Sequence, residues 1–171
     1  MVKNTFWLLM LSAAFAQLPT PSNTIRIISD EMECDQQKNI CTATGNAFAE
    51  RPYDPDRRTI RADKFIAFFD QINQNTQLKN GETNKNDLHK IEAHGHVVIT
   101  DKETVILGDK AIYDHPTQTI ELFGNVKITN DQNQLNGTYG HADLKTKKYH
   151  VTNKDSRVEG LFVNANKKKV K

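Results

Sequence analysis

Apolar and polar residues alternate with a period of two along most of the chain after residue 20. Strict alternation is typical of β-strands that have one dry face and one wet face, and helical spacing is hard to find in the same region. Three runs of alternate positions show the pattern most clearly: Ala43, Gly45, Ala47 and Ala49; Ile91, Ala93, Gly95, Val97 and Ile99; and Ile120, Leu122, Gly124, Val126 and Ile128. The pattern predicts an all-β fold of antiparallel strands.

Two short phrases recur along the chain and indicate internal repetition. The first is a Gly followed by apolar residues two and four positions later, in TGNAFAE, HGHVVIT and FGNVKIT. The second is a small residue followed by Asp, at Ser29-Asp30, Ala62-Asp63, Gly108-Asp109 and Ala142-Asp143. Because the same outline returns under unlike residues, the phrases predict a sheet built from repeated hairpins.

The spacing of the phrases predicts where the hairpins turn. Asp30 stands fifteen positions before Gly45, and the unit that begins at Asp109 has the same length. If the two ends of each unit face each other, the turns fall at Gln37-Lys38 and at Pro116-Thr117. Two further units of different length are expected at residues 63–95, which include a polar insert at 71–87 read as an exposed loop, and at residues 143–160.

At each small-Asp pair the alternation of apolar positions shifts by one residue, so the apolar side chains move to the other face of the strand, a change of parity. The dry residues three positions before an Asp are Ile27, Ile60 and Ile106. Those two positions after it are Met32, Phe65 and Ala111. A strand exchanges its faces only at a bulge or a corner. We therefore expect one bend per repeat, which turns each strand from one sheet layer into another and gives an open, rolled antiparallel sheet.

Small residues are frequent on the predicted dry face. A packed core is the ordinary interpretation of such a face, but a tight sandwich of this size usually has more large side chains. The small residues leave room for an apolar ligand such as an acyl chain. The residues assigned to this groove are Ile27, Met32, Ala47, Ala49, Ile60, Phe65, Ala67, Val97, Ile99, Ile106, Ala111, Tyr113, Ile120, Leu122, Val126 and Ile128.

The chain opens with the features of a cleavable secretory signal. In MVKNTFWLLMLSAAFAQ, one Lys precedes a short apolar run that ends in Ala14-Phe15-Ala16, and the run is too short for a comfortable membrane span. We expect residues 1–16 to be removed, residues 17–163 to form one domain and the basic tail at 164–171 to be disordered. An uncleaved N-terminal anchor is the alternative. Because the formal net charge is only +2, bulk charge selects no partner, and no nucleic-acid partner is expected.

The residues that could carry chemistry favour structural interpretations. Cys34 and Cys41 face each other in the predicted hairpin register, and a disulfide between them is a hypothesis that the sequence leaves open. His94 and His96 lack a third ligand at a suitable spacing, so a solvated face is expected there and not a metal site. The sequence has no Ser/His/Asp order, P-loop or paired-carboxylate signature. We expect no catalytic residue and no cofactor.

Several segments together resemble the LptA/OstA family of periplasmic lipopolysaccharide-transport proteins. They are IRIISDEMECD, ICTATGNAFA, TIRADKF, VVITDKETVILGDKAIYD and IELFGNVKIT, and the resemblance covers roughly residues 25–160. It implies an OstA-like open β-jellyroll that carries lipopolysaccharide from the inner to the outer membrane, with the acyl chains of lipid A in an apolar groove. It also implies that Ile25 and Ile27 contact the lipid. The insert at 71–87 and the Cys pair depart from the family pattern.

The resemblance further implies a location and a set of partners. The protein would be periplasmic and would bind lipopolysaccharide, further copies of itself head to tail, an LptC-like extractor in the inner membrane and an LptD-like translocon in the outer membrane. Two alternatives remain. One is a membrane-anchored LptC-like component of the same pathway that shares the fold. The other is an exported β-rich carbohydrate-active enzyme.

Overall fold

The computed structural model describes residues 24–70 and 87–163. The expected signal peptide at 1–16, most of the insert at 71–87 and the tail at 164–171 lie outside these residues. The described part contains ten strands: β1 (Arg26–Ile28), β2 (Glu31–Asp35), β3 (Ile40–Glu50), β4 (Thr59–Phe69), β5 (Leu88–Thr100), β6 (Thr104–Asp114), β7 (Thr119–Asn130), β8 (Asn133–Asp143), β9 (Lys148–Thr152) and β10 (Glu159–Leu161). Within it, no helix is long and apolar enough to cross a membrane.

All ten strands belong to one antiparallel sheet. Strands β3 to β8 form a meander in which each strand pairs with the next along the chain. At one end, β1 and β2 pair with the two halves of β3. At the other end, β10 and β9 pair with the two halves of β8. The predicted all-β fold of consecutive antiparallel hairpins is confirmed.

A register shift interrupts each ladder between neighbouring long strands at the same level of the sheet. The extra residues lie on β3, β5 and β7, at Gly45-Asn46, Gly95-His96 and Gly124-Asn125. Both residues of each pair have positive φ angles, from +44° to +80°. Bulges of this kind bend a strand and increase its twist. Aligned across the sheet, they form one continuous line of corners.

The corners fold the sheet onto itself. Its inner-face residues are almost fully buried, and the described residues include no helix or second sheet that covers them. The two halves of the sheet must therefore cover each other. We call them the first layer, formed by β1, β10 and residues 47–50, 59–62, 97–100, 104–108, 126–130 and 133–137, and the second layer, formed by the strand segments on the other side of the corners.

The predicted change of parity occurs at the corners. On β6 the buried positions pass from Ile106 to Ala111, and on β4 they pass from Ala62 to Phe65. Each change spans an odd number of residues. On β7 the buried residues stay in phase, because two left-handed residues are inserted there opposite a single residue of the partner strand. The parity change on one strand and the bulge on its neighbour are thus two sides of the same corner.

The hairpin registers are as predicted, but the turns are wider. Cys34 pairs with Cys41 and Tyr113 pairs with Ile120. The loops contain four residues, at 36–39 and 115–118, with the predicted turn residues at their centres. The Asp before each loop holds it in place, because its carboxylate accepts hydrogen bonds from backbone N–H groups two or three residues later.

The fourth predicted small-Asp corner, Ala142-Asp143, is wrong. The carboxylate of Asp143 accepts hydrogen bonds from the N–H groups of Lys145 and Thr146, at 2.9 Å each, and so begins a turn. The corner of β8 lies instead opposite Gly124-Asn125, between Gly137 and Tyr139. Asp residues therefore serve two purposes in this chain, and sequence phrases alone do not distinguish a corner Asp from a turn Asp.

Candidate functional site

The inner face of the folded sheet holds the residues that the sequence assigns to a groove. Most of them are buried there: Ala47, Ala49, Phe65, Ala67, Val97, Ile99, Ile106, Ala111, Tyr113, Ile120, Leu122, Val126 and Ile128. Ile25, Ile27 and Ile60 are partly buried and pack against this cluster. The sequence-based groove set omitted Ala43, Ala62, Ile91, Ala93 and Ala142, which are also buried. Their signal was present, since they continue the same alternation along the same strands.

Met32 differs from the other predicted residues because it is 50% exposed. It pairs with the buried Ala43 across β2 and β3, and directly opposed residues share a face of a sheet. Met32 therefore lies on the inner face but at its open edge. On β1, Ile27 pairs with Ala49 and occupies the same kind of edge position. The edge formed by β1 and β2 is where the inner face meets solvent.

A cavity of about 40 Å³ remains between the two layers. Its apolar lining comes from both layers: Ile25, Ala49, Ile60, Ile91, Ile99, Tyr113, Ile120 and Leu144. The cavity is much smaller than the roughly 300–1,000 Å³ of a typical ligand pocket. In this conformation the inner face is thus mainly a packed core, and an acyl chain would have to enter by separating the layers.

Charged residues at the end of β3 and in the loop between β3 and β4 line the same cavity. Glu50 of β3 and the loop residues Arg51 and Arg58 complete its wall. The Arg58 Nε atom lies 2.7 Å from Asp54 Oδ2, and the Asp54 side chain is only 1% exposed. The loop is irregular in the sequence, so alternation gave no signal for these residues. The structure joins a small apolar space to a cluster of guanidinium groups.

Comparison with known proteins identifies the family. Residues 26–148 match the family model described as LptA/(LptD N-terminal domain) LPS transport protein. The chain belongs to this family. Among curated proteins, none matches this chain. Because the family consists of transport proteins, the prediction that the chain is not an enzyme is confirmed.

A solved structure of another protein shares the fold of this chain. It is LptH from Pseudomonas aeruginosa, described as the LptA homologous periplasmic component of the conserved lipopolysaccharide transport device. The two chains are 15% identical, the match covers 84% of this chain and 100% of LptH, and the TM-score is 0.66. At this identity the likeness establishes the fold, which agrees with the open jellyroll that the resemblance implied.

Each of the three bulges, on β3, β5 and β7, is held by an Asp carboxylate of another strand or strand end. Asn46 donates to Asp30 Oδ2 at 2.7 Å, and Asn125 donates to Asp109 Oδ2 at 2.9 Å. The carboxylates lie against Gly45 and Gly124, where a Cβ atom would overlap them. These glycines are therefore required both by their positive φ angles and by the close approach of the Asp.

His96 occupies the equivalent position in the middle corner. Its Nδ1 atom lies 2.8 Å from Asp63 Oδ2, and this hydrogen bond, together with the charge of Asp63, raises the pKa of His96 above its ordinary value. His94 lies 3.3 Å from Glu92 instead. Within residues 24–70 and 87–163, no cluster of three potential ligands is placed to hold a metal ion. The two His residues serve separate structural contacts.

Two further side-chain pairs lie outside the corners: one beside the cavity and one at the sheet edge. The Tyr113 hydroxyl and His115 Nδ1 are 3.1 Å apart. Burial raises the pKa of Tyr113, whereas burial and the nearby Arg51 charge lower the pKa of His115. Both effects favour the neutral form of His115. At the edge, Cys34 and Cys41 form a disulfide across β2 and β3, with Cα atoms 4.0 Å apart.

Proposed function

We propose that this protein binds lipopolysaccharide in the periplasm, with acyl chains inserted between the two layers, and passes it from the inner to the outer membrane. The observation that carries the proposal is the inner face, which is apolar along the whole sheet and reaches solvent at the β1–β2 edge through Ile27 and Met32. Membership of a family of LPS transport proteins supports the choice of ligand.

Insertion between the layers suits a carrier better than a deep pocket. Burying one CH₂ group is worth about 0.8 kcal/mol, so several fully buried acyl chains would not leave the protein. A closed inner face that opens at its edge binds with less net free energy, because the protein gives up its own packing when lipid enters. Small side chains such as Ala47 and Ala111 limit that loss. The lipid is then held reversibly.

Photo-crosslinking tests the site. A photoreactive amino acid replaces Ile27 or Met32 at the inner edge, and Arg26 or Lys127 on the exposed outer face as matched controls. After irradiation of purified protein with lipopolysaccharide, we expect lipid adducts at Ile27 and Met32 and only background labelling at the controls. Equal labelling at all four positions would contradict binding at the inner face.

The two ends of the sheet support head-to-tail assembly. Each end carries short strands whose outer edges pair with no other strand of the described residues: β1 and β2 at one end, and β9 and β10 at the other. The two described residues after β10, Phe162 and Val163, are apolar and exposed, with Phe162 at 75%. Pairing of one end with the opposite end of the next copy gives an open, heterologous chain of subunits that extends the inner face.

Sedimentation measurements test the assembly. The average mass of the wild-type protein should rise with concentration, and Leu161→Asp with Phe162→Asp should keep the protein monomeric at the same concentrations. Lys127→Asp on the exposed outer face of the central strand β7 is the matched control and should still assemble. A mass that does not depend on concentration in the wild type would contradict this part of the proposal.

The periplasmic location and the partners complete the proposal. An LptC-like extractor would load the lipid at one end, and an LptD-like translocon would receive it at the other, since each offers an edge of the same fold. N-terminal sequencing of protein from the periplasmic fraction provides the check. A chain that begins at Gln17 supports a free carrier, whereas a chain that keeps Met1 and stays with the membrane would indicate the anchored component.

A further inference from the structure

Arg51 brings a positive charge to the mouth of the apolar cavity. Its Nε atom is buried and has no hydrogen-bond partner among the protein atoms of residues 24–70 and 87–163, and its side chain contributes to the cavity wall beside Ile60 and Tyr113. Among the described residues, no carboxylate forms an ion pair with it. The neighbouring Glu50 accepts a hydrogen bond from Arg26 at 2.9 Å and is therefore occupied.

Arg58 and the two carboxylates of the loop are paired with one another. Arg58 is 17% exposed and pairs with the buried Asp54 at 2.7 Å. Asp56 lies 3.6 Å from Arg58 and 3.7 Å from Lys147. The loop holds three arginines, Arg51, Arg57 and Arg58, and two carboxylates, so one positive charge remains. Arg58 pairs with both carboxylates and Arg57 is exposed to water. Arg51 is thus the arginine that lines the cavity without an acidic partner among the described residues.

An unpaired guanidinium nitrogen inside a protein is costly, because it has lost water and gained no acceptor. The planar fork of a guanidinium fits the oxygens of a phosphate or carboxylate and binds them with two parallel hydrogen bonds. The space next to it favours hydrocarbon, since most of its remaining wall is apolar. One ligand that satisfies both surfaces is an amphiphile with an anionic head group and an acyl chain.

We propose that Arg51 binds the phosphate of a phosphorylated lipid whose acyl chain enters the cavity between the layers. This inference rests on the proposed function and adds an orientation to it: the charged head of the lipid lies at the β3–β4 loop and the chains run along the inner face from there. The loop is then the place where the lipid is recognised.

The test compares phosphorylated lipid A, enzymatically dephosphorylated lipid A and inorganic phosphate as ligands. The wild-type protein should bind the phosphorylated form about tenfold more tightly than the dephosphorylated form, a difference of about 1.4 kcal/mol. Arg51→Gln should lose this preference and bind the dephosphorylated form as the wild type does. Arg57→Gln removes the same charge from an exposed position of the same loop and should behave as wild type.

Two further measurements separate binding from folding. Arg51→Lys keeps the charge without the fork and should retain part of the preference, whereas thermal unfolding of lipid-free Arg51→Gln should show no loss of stability, because the replaced group lacks a partner. An Arg51→Gln protein that keeps the full preference would overturn the inference, as would one that loses it only by unfolding.

The remaining outcomes are equally decisive. Inorganic phosphate that displaces the lipid at comparable concentration would assign Arg51 to free phosphate and not to a lipid. If the wild-type protein binds neither form of lipid A, the proposed function itself fails. If it binds both forms equally well, only the role of Arg51 fails.

Discussion

The hairpin at the sheet edge and the hairpin in its centre share one register but are stabilised differently. In the central hairpin of β6 and β7, the facing residues Tyr113 and Ile120 are buried between the layers. The corresponding residues of β2 and β3 are Cys34 and Cys41, which form a disulfide. The central strands have neighbours on both sides, whereas β2 has one neighbour among the described strands. The same backbone is therefore held by packing in the centre and by a covalent bond at the edge.

The largest expected effect comes from the central hairpin. Leu122→Ala removes a fully buried side chain and should lower the free energy of unfolding by about 3 kcal/mol. Met32→Ala at the exposed edge should lower it by about 0.5 kcal/mol or less. Urea unfolding curves of both variants give the comparison. Equal losses would mean that the edge is packed as tightly as the centre.

Removal of the disulfide should have the next largest effect. Cys34→Ser with Cys41→Ser should cost about 2 kcal/mol, and hydrogen exchange should become faster mainly in β2 and in the half of β3 that pairs with it. Cys34→Tyr with Cys41→Ile copies the central pair and should not restore the protection, because no second strand covers β2. Full protection in that variant would show that side-chain packing alone suffices at the edge.

The stability of a corner should depend on which glycine near its Asp gains a methyl group. Gly124→Ala requires a side chain at a φ of +68° and places its Cβ against the Asp109 carboxylate. We expect a loss of about 1–2 kcal/mol. Gly108→Ala, one residue before the same Asp, has a Cβ no closer than 3.6 Å to other atoms and should cost less. Thermal unfolding of the pair measures the difference, and a reversed order would argue against the corner geometry.

The smallest expected effect is a pH dependence of stability, which the middle corner has through His96 and the edge corner with Asn46 lacks. His96 has a raised pKa because of Asp63, so the folded state binds its proton more tightly than the unfolded state. The stabilisation is fully present below the ordinary value of 6.5 and is lost as the pH rises through the folded pKa. His96→Asn copies the Asn46 corner. The difference in unfolding temperature, variant minus wild type, should rise between about pH 6 and pH 8, because only the wild type loses stability over that range. A difference that does not change with pH would contradict the pairing of His96 with Asp63.

Much of the fold could be predicted from the sequence because alternation and spacing are local signals. The facing of Cys34 and Cys41 and the parity change at Asp109 follow from counting residues, and both occur in the structure. The fourth corner was misplaced because Asp143 follows a small residue as a corner Asp does. Its role is set by the backbone groups that it meets, which the sequence does not display.

The candidate site could be predicted only in part. Residues such as Val97 and Leu122 belong to regular strands, so their faces were readable, whereas Arg51 lies in an irregular loop whose path depends on the folded layers. The width of the groove could not be predicted from the sequence either. Small residues suggested open space, but the two layers approach each other and leave only about 40 Å³. How closely two faces approach is a property of the whole sheet.

The number of strands in the meander sets the length of the inner face. Eight positions follow one another across the sheet, and at about 4.8 Å per strand they span roughly 34 Å. Duplication of one hairpin would add about 10 Å while the terminal strands keep their shape. A chain with more repeats would therefore accommodate a longer stretch of lipid and still join its neighbours through the same ends.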